Sequence, residues 1–172
     1  MASTGNGNGK PTNPDGATQT APPPVQVKVV AQYIKDLSFE NPNIEKLLKE
    51  PGDQPNLQLS INVGAKSVGP TLYESAIDFN AQATNKLGEI YQLELVYAGL
   101  FKIENIPDAA LEPFLLVNCP SLLFPFVRRL AADLTREGGF PPLLLDPFDF
   151  ASLYLRRQQE LRSKVEAEAK KN

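Results

Sequence analysis

The sequence predicts an α+β fold: a four-stranded antiparallel sheet followed by two C-terminal helices packed on one of its faces. Three observations carry this reading. Four stretches between residues 25 and 101 alternate apolar with polar side chains, the period-two signature of strands. Turn-forming residues separate them, and the last turn is short enough for a hairpin. From Pro107 onward the apolar spacing changes to three and four, which is helical. A run of strands followed by a run of helices defines this class.

In the first strand Val25, Val27, Val29, Ala31 and Tyr33 form one row, with Gln26, Lys28 and Gln32 opposite. Residues 36–50 are polar and include Pro42, and Pro51-Gly52-Asp53-Gln54-Pro55 follows, so a long crossover loop is expected rather than a tight hairpin. Leu57, Leu59, Ile61 and Val63 mark the second strand, and Gly69-Pro70 turns the chain. The third strand lines up Tyr73, Ser75, Ile77, Phe79, Ala81 and Ala83 against Glu74, Asp78, Asn80 and Gln82. After Asn85-Lys86-Leu87-Gly88, the fourth strand is apolar on both faces: Tyr91, Leu93, Leu95 and Tyr97 on one, Ile90, Val96, Ala98 and Leu100 on the other. Apolar residues on both faces imply that both are covered. One helical layer covers one face, and a second subunit is the simplest cover for the other.

Pro107-Asp108 opens a short helix that Asn118-Cys119-Pro120 is expected to break, with Pro120 suited to a restart. Leu122, Leu123, Phe126, Val127, Leu130 and Leu134 then form one broad stripe, and Gly138-Gly139 ends it. Asp146-Pro147 restarts a helix, with Asp146 as the expected N-cap. Three regions follow: residues 1–24, Gly/Asn/Thr/Pro-rich and expected to be disordered; residues 25–159, the folded domain; and residues 160–172, a charged flexible tail. Leu161, Val165 and Ala169 form a thin stripe in that tail, read as a solvated helix end that frays.

The net charge of −3 argues against nucleic acid and against an anionic membrane surface, and suits a basic partner. Residues 1–24 contain no apolar segment of the signal-peptide kind, and the single cysteine, Cys119, suits a reducing compartment. The expected location is the cytoplasm. The most apolar stretch, residues 113–155, is interrupted by Arg128, Arg129, Asp133, Arg136, Pro141, Pro142 and Pro147, whereas a membrane span needs roughly 20 consecutive apolar residues. It must therefore pack against something in water.

The chain contains no histidine, which removes the commonest general base and metal ligand. Cys119 thus lacks a histidine to activate it, and a structural role is expected. Asp36 and Glu40 read as solvent-facing charge rather than an acid/base pair, and no phosphate loop or metal spacing occurs. An enzyme is disfavoured and no cofactor is expected. Phe140-Pro141-Pro142-Leu143-Leu144-Leu145 admits two readings: a buried connector sealing the core, or one wall of an apolar groove whose other wall is the crossover around Leu47 and Leu48.

Several segments resemble the SecB protein-export chaperones. They are Lys35-Asp36-Leu37-Ser38-Phe39-Glu40-Asn41-Pro42-Asn43, Tyr97-Ala98-Gly99-Leu100-Phe101, residues 118–128 (NCPSLLFPFVR) and Gly138-Gly139-Phe140-Pro141-Pro142-Leu143. The similarity spans residues 25–159 with the motifs in order. The resemblance implies a homotetramer, a dimer of dimers, that binds unfolded preproteins and delivers them to the SecA translocation ATPase without a cofactor, without nucleic acid and without inserting into the membrane. It assigns the SecA contact to Asp36, Glu40 and Glu94. Gln92 replaces a family leucine beside that site, and the crossover tryptophan common in the family is absent.

On this reading client contact is expected from Leu47, Leu48, Leu57, Leu59, Phe140, Leu143, Leu145 and Phe150, and the tetramer interface from Leu93, Leu95 and Tyr97. Two other roles compete with export: a SecB-like chaperone of a toxin–antitoxin system, and a carrier of small hydrophobic ligands.

Overall fold

The computed structural model describes residues 23–50 and 52–169. Residues 1–22 of the extension expected to be disordered lie outside the described residues. The elements are β1 (Gln26–Glu40), α1 (Ile44–Lys49), β2 (Asn56–Ser67), β3 (Leu72–Asn85), β4 (Gly88–Glu104), α2 (Asp108–Pro113), one π turn (Phe114–Asn118), α3 (Cys119–Glu137) and α4 (Phe150–Ala169). The four strands form one antiparallel sheet in the order β1-β4-β3-β2. β1 must therefore cross to the far edge before β2 begins, and α1 lies within that crossover. Both β1 and β2 are edge strands.

The helices cover one face only. Ile77, Phe79, Leu93, Leu95, Phe101 and Ile103 point to that side and are buried, packed with Leu115, Leu123, Val127 and Ala131 of the helical layer. Each such side chain contributes about 1.5–3 kcal/mol by leaving water. Gly99 lets α3 approach: a Cβ there would stand 2.8 Å from the Phe101 ring and 2.9 Å from Leu123. Ser75, fully buried among these residues, donates its hydroxyl to the Leu115 carbonyl at 2.9 Å and ties sheet to helix.

This packing already buries Leu93, Leu95 and Tyr97, the row expected at the tetramer interface, within one chain. Leu93 is 0% exposed, Leu95 1% and Tyr97 7% within a single chain. Phe126 of α3 stacks on Tyr97 with ring centroids 5.8 Å apart. The chain's own helix layer covers this row and leaves only Tyr97 slightly exposed.

β1 also departs from simple alternation. Val27 and Val29 stand opposite Ile103 and Phe101, but Ala31 and Tyr33 stand opposite Leu100 and Ala98, with a register shift between Val29 and Ala31. Val30 is the extra residue of a bulge, and the residues after it exchange faces. A second shift, between Ile34 and Asp36, frees Lys35 in the same way. The strand then continues to Glu40, so residues 36–40, expected in the crossover loop, are strand.

The helical part differs in three places. The expected break at Asn118-Cys119-Pro120 does not occur. One π turn, with Cys119 N–H bonded to the Phe114 carbonyl, absorbs the irregularity next to Pro120, and helix continues through it. The cap of the last helix is Asp149, not Asp146: its carboxylate accepts from the Ser152 amide at 3.0 Å and the Ser152 hydroxyl at 2.6 Å. The boundary expected at residues 159/160 falls inside α4, which runs on to Ala169. Residues 108–137 are long and apolar enough to cross a membrane by length and composition alone. Leu115, Cys119, Leu123, Val127 and Ala131 of that run lie in the core against the sheet.

Candidate functional site: an apolar cleft and an acidic sheet face

The cleft lies at the end of the sheet where β4 begins. Its floor is Ala83 of β3, Ile90 and Tyr91 of β4, and Leu57 on the edge strand β2. Consecutive Ile90 and Tyr91 both reach it because β4 carries a register shift there: Ala83 pairs with Tyr91 and Thr84 with Glu89, leaving Ile90 as the extra residue. One wall is α1, through Ile44, Leu47 and Leu48. The other is the segment after α3, through Gly139, Phe140 and Pro141. The cavity volume is about 370 Å³, at the small end of the range for ligand pockets.

Tyr91 and Phe140 line the cleft, and aromatic rings pack against one another there. Phe39 stacks on Tyr91 at 5.8 Å, and Tyr91 meets Phe140 at 5.2 Å. Burial raises the Tyr91 phenol above its ordinary pKa, so it stays neutral. Asp53 at the rim pairs with Lys86 at 2.6 Å, an exposed contact of small energetic weight. Gly139 reverses the chain into the second wall with φ +87°, a conformation that favours glycine.

Of the residues expected to contact a client, Leu47, Leu48, Leu57 and Phe140 line this cleft. Leu59 is exposed on β2 but lies outside it. Leu145 and Phe150 are core residues at 6% and 2% exposure, and half-buried Leu143 packs against the same core. Their assignment to an open groove is corrected accordingly. The Pro-Pro pair keeps this segment extended, so Leu143 and Leu145 face inward while Leu144, at 78% exposure, faces water. Residues 140–145 thus combine both sequence readings: a cleft wall at Phe140-Pro141 and a core seal beyond it. Ile44, Ile90 and Tyr91 were missed. The helical spacing of Ile44 with Leu47 and Leu48 is a signal for the first; only the β4 bulge reveals the other two.

The opposite face of the sheet carries no helix. Here Asp36 stands across from Val96, Ser38 from Glu94, and Glu40 from Gln92. The fold therefore brings Asp36, Glu40 and Glu94 onto one open patch, and all three are exposed. Asp78 joins them from β3, also opposite Val96. Among the described residues no ion pair neutralises these four. Gln92 donates to Glu94 at 2.7 Å and Asn80 to Asp78 at 2.9 Å.

Farther along the same face the charges are compensated. Glu74, 8% exposed, accepts from Tyr33 at 2.5 Å and Lys35 at 2.7 Å, and pairs with Lys66 at 3.4 Å. The hydrogen bonds from Lys35 and Tyr33 lower its pKa to about 2, and the carboxylate in turn raises Tyr33 to about 12. The network links β1, β2 and β3 across the face of β4. Cys119 is fully buried and burial pushes its thiol up to about 12, so it remains an unreactive core residue.

The sequence profile of SecB, the preprotein translocase subunit, matches residues 18–161. The chain belongs to the SecB family. It is 47% identical to the protein-export protein SecB of a Bradyrhizobium species over 148 residues, 86% of this chain and 91% of that one. It is 46% identical to the protein-export protein SecB of Afipia carboxidovorans over 163 residues, 94% of this chain and 99% of the relative. The one from Maricaulis maris is 49% identical over 144 residues, 83% of this chain and 81% of that one. The fold is also similar to the solved SecB-like chaperone of Mycobacterium tuberculosis in complex with an antitoxin peptide. The TM-score is 0.58 at 15% identity, covering 72% of this chain and 91% of that one.

Proposed function

We propose that this SecB-family protein is a cytoplasmic export chaperone that holds unfolded preproteins in a translocation-competent state and passes them to the SecA ATPase. The observation that carries the reading is the separation of an open apolar cleft from an uncompensated acidic face on one small scaffold. A client holder needs non-directional contact, and apolar burial supplies it for many sequences. A handover partner needs a distinct surface that remains free while the cleft is occupied, and Asp36, Glu40 and Glu94 offer one to a basic docking segment.

One cleft holds little of a long chain, so affinity must come from several clefts acting on one client. A dimer of dimers meets this need. The surface that favours self-association is β1, not the β4 row. β1 is an edge strand 15 residues long, with Val27, Val29, Val30, Ile34 and Leu37 exposed. Exposed Phe126 of α3 stacks on Tyr97, which pairs with Ile34 of that strand. An unpaired apolar edge of that length is a template for a second copy. The work requires no chemical step and no cofactor.

The test is size-exclusion chromatography with light scattering, with and without carboxymethylated α-lactalbumin as a permanently unfolded client. A tetramer mass and co-elution with the client are expected, with co-elution lost for Leu47→Ser combined with Phe140→Ser. A lone subunit that ignores the unfolded client, or one stabilised instead by small apolar ligands, would refute the proposal.

A further inference from the structure

The two walls of the cleft are held differently. Phe140 and Leu143 flank Pro141 and Pro142, which have no amide hydrogen. The segment therefore has one donor just before the pair and one just after it. Both go to the same residue of α3. The Phe140 amide donates to the Thr135 carbonyl at 3.0 Å, and the Leu143 amide donates to the Thr135 hydroxyl oxygen at 2.9 Å. Thr135 is 0% exposed, and its hydroxyl donates in turn to the Ala131 carbonyl at 2.8 Å. About two helical turns back along α3 from Thr135, Arg128 Nε donates to the Leu145 carbonyl at 2.7 Å. The wall is a strap fastened at both ends to the rigid core helix. The α1 wall contains no buried residue.

From this arrangement we infer that Thr135 is a positioning residue for client binding: its hydroxyl and carbonyl set the Phe140–Pro141 wall at the distance from Tyr91 that shapes the cleft. This rests on the chaperone reading above. A threonine inside an apolar helix has an ordinary explanation in back-bonding to its own helix. The second bond, accepted from a loop eight residues on, goes beyond that explanation. A valine of the same shape removes both and leaves the Leu143 amide without its partner, while serine keeps the hydroxyl.

The test compares Thr135→Val and Thr135→Ser in the full chain, with Arg128→Ala as the milder variant at the other end of the strap. Client affinity is read with carboxymethylated α-lactalbumin, and amide exchange is read over residues 138–146 and, as an internal reference, over β3. Thr135→Val is expected to weaken binding by about tenfold, chiefly through faster release, and to raise exchange in the strap but not in β3. Thr135→Ser should bind within about twofold of the parent. Arg128→Ala should weaken binding by about threefold and reports on the strap even where Thr135→Val fails to fold.

Unchanged affinity in Arg128→Ala or Thr135→Val despite a loosened strap overturns the inference, as does a serine variant as weak as the valine one. A parent chain that never binds the unfolded probe sinks the chaperone reading itself. The exchange comparison then still shows whether Thr135 holds the strap.

Discussion

The two faces of the sheet come from the same four strands and have opposite fates. On the helix side, β3 and β4 present Ile77, Phe79, Leu93, Leu95 and Phe101, all at 1% exposure or less. On the open side the same strands present Asp78, Asn80, Gln92 and Glu94, which retain contact with water. Alternation places one residue of each consecutive pair on each face, so a single strand can stabilise the fold with one row and meet partners with the other. The open side is itself divided. Around Glu74 its charges are satisfied internally, whereas around Glu94 they are left for something outside the chain.

The largest expected effect lies on the helix side. Leu95→Ala should cost about 2–5 kcal/mol of unfolding free energy in chemical denaturation, because α3 cannot close over the lost volume. A variant that merely dissociates into fully stable subunits would break the contrast between the faces.

The next concerns the compensated half of the open side. Glu74→Gln should destabilise by about 1–2 kcal/mol at neutral pH, a value limited by the half-exposed lysines. The folded pKa of Glu74 lies below its ordinary value of 4.5, so its contribution is present above that pH and disappears as pH falls toward about 2. The thermal midpoints of parent and variant should therefore converge on acidification. A gap that stays constant with pH would show that the network is not electrostatic.

The smallest effect on stability belongs to the uncompensated half. Replacing Asp36, Glu40 and Glu94 together with lysine should shift unfolding by less than about 0.5 kcal/mol per site, since these side chains stand in water. The same change should abolish binding to SecA, and the parent interaction should weaken as salt rises. SecA affinity indifferent to the triple change would remove the acidic face from the proposal.

The period-two rows of β2, β3 and β4 were legible because apolar alternation is a local property. The pairing of Leu47 and Leu48 with Phe140 was legible as one of two readings, since these side chains are apolar where loops are normally polar. Leu145 and Phe150 were misplaced because an extended, proline-held segment shows no period that separates inward from outward residues. The bulges at Val30, Lys35 and Ile90 were invisible: an inserted residue leaves the local composition unchanged and alters only which face follows. In the sequence Asp146 reads as the cap because Pro147 follows it, whereas the place where α4 meets the body selects Asp149.

The residues by themselves determined the order of strands and helices, the absence of histidine chemistry, and the family to which the chain is similar. Only the tertiary structure decided which apolar row of β4 lies under the helices, which leucines line the cleft, and that Thr135 holds one of its walls. The physical reason is that secondary structure follows from neighbours a few residues apart, whereas burial follows from which distant segment arrives to exclude water.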